Sequence, residues 1–190
     1  MRIEFLLEEE SMQRALEILL PKVLPSSYKL GENCFLRPHN GKSDLKHSIP
    51  KKVKVFSRYY EPTKLVILHD QDSNDCKTLK RDLMRLCKEN GDCPVLIRIP
   101  CRELEAWYLG DMEAIEQAYP RFKAKQFRNK EKFRNPDLCQ ASSELKKIIP
   151  TFQKGIAAKA IPKFMRIDEN TSPSFKQFVN GLKNFLRDEK

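Results

Sequence analysis

The apolar run Leu65-Val-Ile-Leu68, opened by Lys64 and closed by His69, constrains this chain more than any other segment. It has no polar alternation, so a strand built from it must be covered on both faces. Such strands belong to parallel α/β sheets, which take their ligands at the carboxyl ends of the strands. Here that end is acidic: Asp70-Gln-Asp72-Ser-Asn-Asp75. Beyond it Cys76, Leu79, Leu83, Leu86 and Cys87 recur at helical spacing, so the segment reads as strand, acidic turn, helix. Carboxylates at the tip of a buried strand suit a metal ion, and D-x-D-x-N also opens an EF-hand loop. The EF-hand reading fails: Asp75 stands where Gly is obligatory, Arg81 where the bidentate Glu belongs, and a strand precedes the loop.

The amino terminus repeats the pattern. Ile3-Glu-Phe-Leu-Leu7 reads as a strand, followed by Glu8-Glu9-Glu10-Ser11 and a helix carrying Ala15, Leu16, Leu19 and Leu20. Acids in a first turn are favoured by the helix dipole and Ser11 or Glu10 can cap, so taken alone this cluster reads first as a helix start and only second as a site. The period and punctuation of the remainder predict a strand near 28–37, helix 43–59, strand 64–69, helix 74–89 and a fourth strand 95–99. Helices then follow near 103–108, 111–119, 137–148, 155–161 and 173–187. The fold expected is an open α/β domain with a mostly parallel four-stranded sheet and flanking helices. Its core covers 1–110 and a helical, basic extension, 111–190, packs on it within one domain. Pro120 to Pro136 is expected to be the most mobile stretch.

Composition narrows the function classes. No stretch is apolar enough to span a membrane and the amino terminus is not a signal peptide, so a cytoplasmic protein is expected. The six cysteines form no C-x-x-C pair and read as reduced, mostly buried thiols. Three histidines and no serine elbow argue against a His-ligated centre or a serine hydrolase. The net charge of +10 is uneven: residues 1–120 carry 19 basic and 19 acidic side chains, residues 121–190 carry 17 and 7. The densest part, Arg121 to Arg134, interleaves Phe122, Phe127 and Phe133 with cations. Lys123, Lys125, Arg128, Lys130, Lys132 and Arg134 are the expected nucleic-acid contacts, with salt-dependent affinity. The bland alternative is a solvated segment whose phenylalanines anchor it.

One Glu after the first strand and D-x-D after a later parallel strand resemble the Toprim arrangement. Leu-Leu-Glu8-Glu9-Glu10-Ser11 is similar to its apolar-Glu-Gly-x-Ser element, with Glu9 where Gly is usual, and Val66 to Asp72 is similar to its D-x-D element. Gly41-Lys42-Ser43-Asp44-Leu45, Asp70-x-Asp72-x-x-Asp75-Cys76, Glu103-Leu-Glu105-Ala-Trp107-Tyr108-Leu-Gly-Asp111 and Ser172-Pro-Ser-Phe175 follow in order. With them the chain resembles, over residues 3–178, a Toprim-like bacterial family of unknown function, domain-of-unknown-function family 4276. That family is related to the nuclease half of overcoming-lysogenization-defect proteins and is encoded beside an AAA-type ATPase.

The resemblance implies a Mg²⁺- or Mn²⁺-dependent nuclease, the effector of an ATPase–nuclease pair in anti-phage defence. It implies Glu8, Asp70 and Asp72 as metal ligands, Glu105 as a further ligand or base, and Lys154 as a cation facing the transition state, with Lys159 competing and Glu9 an alternative ligand for a second ion. The ion would orient the scissile phosphate and acidify an attacking water. Glu103 and Glu105 diverge by about 200° on a helix, so only one of them can face that ion. Trp107 is expected in the core. Gly41-Lys42-Ser43 ends like a Walker A loop, but Leu36 occupies the first glycine position, so ATP dependence must come from a partner. The tyrosines at 28, 59, 60, 108 and 119 have no separate domain to present them, which favours hydrolysis over topoisomerisation. A non-catalytic adaptor binding nucleic acid or the ATPase, and a transfer-RNA nuclease, are the alternatives. Self-association is left open.

Overall fold

The computed structural model describes residues 1–187; the last three residues of the 111–190 extension lie outside it. Strands β1 (Arg2–Leu7) and β3 (Thr63–Leu68) send successive side chains to opposite faces, and both faces are covered; they are mainly apolar, with Glu4 buried in an ion pair with Arg2 and Arg37. Ile3, Phe5, Leu7, Val66 and Leu68 join one core; Leu6, Leu65 and Ile67 join the other. Leu65 to Leu68 are fully buried, as the unbroken apolar run requires. With β2 (Cys34–Pro38) and β4 (Val95–Arg98) at the edges, the order is β2-β1-β3-β4 and every pairing is parallel.

Helices α2 (Lys42–Phe56) and α3 (Cys76–Lys88) cover one face through Leu45, Ile49, Val53, Leu79, Leu83 and Cys87. The opposite face is covered by α1 (Glu10–Leu19), α4 (Glu105–Leu109), α5 (Met112–Ala118), α6 (Ala141–Ile148), α7 (Lys154–Ala160) and α8 (Pro173–Leu186). The carboxyl-terminal helices thus share the larger core with the sheet. Trp107 is its hinge pin: the ring stacks on Phe178 at 4.9 Å, meets Phe175 edge-on at 5.2 Å, and its indole N–H donates to Ser174 Oγ at 3.0 Å. Among the described residues no helix is long and apolar enough to cross a membrane.

Two elements start later than the sequence predicts. The second strand begins at Cys34 instead of near 28, because Gly31 takes a left-handed turn (φ 81°) and Asn33 accepts from the Lys29 N–H and donates to the Ser27 carbonyl, closing a loop. The helix expected from 137 begins at Ala141. Asp137 is taken out of it by Ser172 Oγ and by the N–H of Ser174, each donating at 2.6 Å, and Pro136–Leu138 is left as a single 3₁₀ turn.

Candidate functional site

Topology selects the location. From β1 the chain moves to β2 on one side, then returns past β1 to β3 on the other, so the strand order reverses between β1 and β3. Crevices at the carboxyl ends of such a pair are where open α/β sheets take ligands. Leu7 and Leu68 are register partners, so Glu8 and Asp70 emerge side by side at that crevice.

Glu8 Oε2 accepts the Asp70 backbone N–H at 2.9 Å and lies 3.2 Å from His69 Nδ1. That nitrogen is also 2.6 Å from the Asp70 carbonyl oxygen. Both neighbours are acceptors, which assigns the proton to Nδ1 and makes the buried imidazole a clamp on Glu8. Asp70 is only 5 % exposed, and its Oδ1 has no hydrogen bond among the described residues. Glu105, in the first turn of α4, is fully buried and neither of its oxygens is hydrogen-bonded. Its counter-ion is Lys154 at the start of α7, whose Nζ stands 3.5 Å from Glu105 Oε1 and 2.6 Å from Glu9 Oε1. Ser11 Oγ donates to the same Glu9 oxygen. Glu9 is the N-cap residue of α1 by backbone position, yet its side chain makes no capping bond and turns to Lys154 instead. One turn along α4, the Tyr108 hydroxyl is buried without a hydrogen bond as well.

Buried polar atoms usually have partners, and with His69 Nε2 five atoms without one lie at or beside this crevice, a donor set suited to a ligand. The electrostatics agree. Burial, reinforced by the Glu105 and Glu8 charges, pushes the Asp70 carboxyl well above the usual range, against the pull of Lys154. Burial raises Glu105 to about 7 although Lys154 opposes it. Burial also raises Glu8, against the lowering influence of His69. Burial lowers and the Glu105 and Glu9 charges raise the ammonium of Lys154, with the acids prevailing. Strongly perturbed carboxyls facing one cation in a crevice are the electrostatic mark of a functional site.

Asp72 behaves differently. Its backbone is left-handed (φ 52°), a region Asp tolerates better than most residues, and its N–H donates to the Arg102 carbonyl at 2.7 Å. Arg102 is itself left-handed (φ 59°), with its N–H held by Gln71 Oε1 at 3.0 Å. This clamp turns the Asp72 side chain outward to the rim, where Lys42 Nζ meets it at 3.1 Å. A cleft of ≈ 510 Å³ lined by Gln71, Asp72, Ser73, Asn74, Arg102, Glu103 and Gln140 opens beside it. Asp75, third in the acidic run, accepts the Thr78 N–H at 2.8 Å and caps α3.

The crevice therefore gathers Glu8, Glu9, Asp70, Glu105 and Lys154, with Asp72 at its edge. Of the competing pairs, Glu103 is drawn off to the Ser142 N–H at 2.7 Å at the start of α6, and Lys159 is exposed on α7. His69 and Tyr108 carry no signal of their own in the sequence. Their positions did hold one: His69 closes the buried strand beside Asp70, and Tyr108 lies three residues after Glu105, on the same helical face. The basic stretch 121–134 is partly engaged, with three of its seven cations in ion pairs. Phe122 stacks on Phe127 at 5.0 Å and Phe127 meets Phe133 at 6.4 Å, so these rings anchor the segment. Lys123 pairs with Glu116, Arg128 with Glu113 at 2.9 Å, and Lys132 with Glu144 at 2.5 Å; Lys125, Lys130 and Arg134 remain exposed.

The donor set is all oxygen, which suits a hard cation such as Mg²⁺ or Mn²⁺. Oxygens without hydrogen bonds on Asp70 and Glu105 fit that demand, and Glu8, Asp70 and Glu105 would be the holders, with Glu9 and Asp72 flanking. Among the described residues no three Asp, Glu, His or Cys side chains stand ready-made around one point, so an ion would have to draw these carboxylates inward and share them with Lys154.

Among known proteins, residues 7–183 match the family model described as Domain of unknown function (DUF4276). No curated protein matches, and no solved structure matches.

Proposed function

The chain belongs to the DUF4276 family, and from that membership and the crevice between β1 and β3 we propose that it is a Mg²⁺- or Mn²⁺-dependent nuclease, a hydrolase of phosphodiester bonds in nucleic acid. The observation that carries this reading is the burial of Asp70 and Glu105, with oxygens that have no hydrogen bond, beside Glu8 and opposite Lys154. Carboxyls so placed cost stability without a cation, a burden usually kept for function. A divalent ion held there would supply Lewis-acid stabilisation of a phosphate and an acidified water.

The chain's own residues do the rest. His69 fixes the rotamer of Glu8, so its free oxygen faces the crevice. Lys154 holds positive charge where a phosphorane would build negative charge, and moves from Glu9 and Glu105 to the substrate as it enters. Glu105, raised to about 7 by burial, must give up its proton to join Glu8 and Asp70 as a ligand, so the site would fill less readily below neutral pH. The sheet's carboxyl end excludes water on the inner side through Tyr108 and the α4 core, while the rim with Asp72, Lys42 and Arg102 stays open to a polyanion.

The Toprim resemblance supports the same chemistry, and the ATPase encoded beside the family supports control in trans, in the cytoplasm, within a defence pair. The test is cleavage of labelled DNA and RNA with Mg²⁺ or Mn²⁺, by the chain alone and with that ATPase added. Metal-dependent cleavage lost in Asp70→Asn supports the proposal; cleavage by the pair that survives Asp70→Asn overturns the site. One observation favours a second reading: Lys154 already supplies Glu9 and Glu105 with a cation, as a non-catalytic adaptor retaining the fold would need. That reading predicts no metal dependence at all.

A further inference from the structure

The even charge balance of residues 1–120 conceals a separation that appears only once the chain is folded. Helices α2 and α3 hold ten lysines and arginines against two aspartates, leaving nine against seventeen in the rest of that region. Both helices bury Leu, Ile, Val and Cys against the same face of the sheet and so turn their cations outward together. On α3, Lys77, Lys80, Arg81, Arg85 and Lys88 are all exposed. At 1.5 Å rise per residue they line about 16 Å of helix, a length over which a duplex carries on the order of ten phosphate charges. On α2, Lys46, Lys51 and Lys54 are exposed beside them.

These cations are less committed than those of the 121–134 stretch, where Lys123, Arg128 and Lys132 pair with acids. Among the described residues no ion pair reaches Lys46, Lys51, Lys54, Lys77, Lys80 or Lys88, and the pairs of Arg81 with Asp82 and of Arg85 with Glu89, just past the end of α3, are loose contacts of 3.7 and 4.0 Å. The face is also continuous with the crevice. A groove of ≈ 300 Å³ along α3, where Lys46 and Arg85 stand among Asp75, Asp82 and Glu89, starts at Asn74 in the loop that follows Asp72; the cations outside it, not the groove floor, carry the positive excess. Lys42, at the start of α2, touches Asp72 itself. Both helices begin at the crevice, so their positive dipole ends lie on the same path.

We propose that the outer face of α2 and α3 is the principal docking surface for the sugar–phosphate backbone of a nucleic acid, and that it guides the strand past Lys42 to Asp72 and Asp70. The proposal rests on the nuclease reading for the fate of the strand, but its test does not. Binding of a fluorescein-labelled DNA duplex, and of an RNA hairpin, is measured by anisotropy in EDTA across a salt series, so that no metal and no cleavage enter. The full chain is compared with Lys80→Glu/Arg81→Glu/Arg85→Glu and with the charge-keeping Lys80→Arg/Arg81→Lys/Arg85→Lys. The reversal should weaken binding about tenfold or more and flatten the log–log salt slope by about 0.9 per lost phosphate contact, while the charge-keeping variant binds as wild type. All three residues are exposed, and matching melting curves check that the fold is kept. Unchanged affinity and slope in the reversal, or wild type that binds neither probe, would overturn the surface. Tight binding of polyglutamate in place of either nucleic acid would overturn it too, assigning the face to an acidic protein. A surface that passes while Asp70→Asn leaves metal response intact would sink the nuclease reading alone.

Discussion

Replacing Glu105 by Gln removes one charge from the crevice while keeping the shape of the side chain, and its effect should depend on pH. Glu105 has an ordinary value of 4.5 and is raised to about 7 in the fold, chiefly by burial. Between those two values the folded chain holds a proton that the unfolded chain has released, so wild-type stability falls as pH rises through that window and has lost its full share above 7. A rise of this size corresponds to about 3 kcal/mol at 1.36 kcal/mol per unit, and the side chain is 1 % exposed, so solvent screening takes little from it. Glu105→Gln cannot titrate and escapes the loss. Any fixed cost of the new amide is common to all pH values and cancels in the comparison. In metal-free urea melts, the difference in unfolding free energy between Glu105→Gln and wild type should therefore be about 3 kcal/mol more favourable to the variant near pH 8 than near pH 4. In thermal melts the same contrast is about 6–12 °C for a chain of this size. A difference that does not change with pH would show that Glu105 is ionised and satisfied in the fold, and would remove the electrostatic argument for the crevice.

Three further outcomes follow from particular contacts. Lys154→Met takes away the cation that the acids already share, so it should tighten Mn²⁺ binding in calorimetry while abolishing cleavage; weaker Mn²⁺ binding would show that Lys154 does not compete for the site. Gly110→Ala should destabilise by about 1–3 kcal/mol in urea melts, because a Cβ there falls 2.1 Å from Asn170 Oδ1 and 2.9 Å from the Ser172 backbone nitrogen, in the network that ties Trp107 to α8. An unchanged midpoint would refute that packing. Reversal of Arg128, Lys130 and Lys132 to Glu should weaken nucleic-acid binding less than the reversal on α3, since Glu113 and Glu144 already engage two of the three; an equal or larger loss would return the main surface to the extension.

Much of this was legible in the residues. The run Leu65 to Leu68 has one physical solution, a strand covered on both faces, and the acidic turn after it fixes which end of the sheet carries the chemistry. Glu8 and Asp70 were legible for the same reason, each following an apolar strand. What periodicity could not reveal was direction. Asp70 and Asp72 are two residues apart, but a left-handed backbone at Asp72 and its clamp to Arg102 send one side chain inward and the other to the rim. Glu103 and Glu105 are separated likewise, by the Ser142 N–H that draws Glu103 to α6. The ion pair between Lys154 and Glu9 joins residues distant in sequence and has no local trace. Charge counting failed on α2 and α3 because the excess there was cancelled by acids that fold to a different face.

The central claim is that Asp70 and its neighbours hold a divalent cation. Titration of Mn²⁺ into the metal-free chain by calorimetry, in two buffers of different ionisation enthalpy, tests it without knowledge of the substrate. The account predicts binding that releases protons, because Asp70 and Glu105 are raised and must ionise to ligate, with affinity that climbs as pH rises through about 7 and collapses in Asp70→Asn. Heat of binding that is absent in wild type, or equal in wild type and Asp70→Asn, would contradict it.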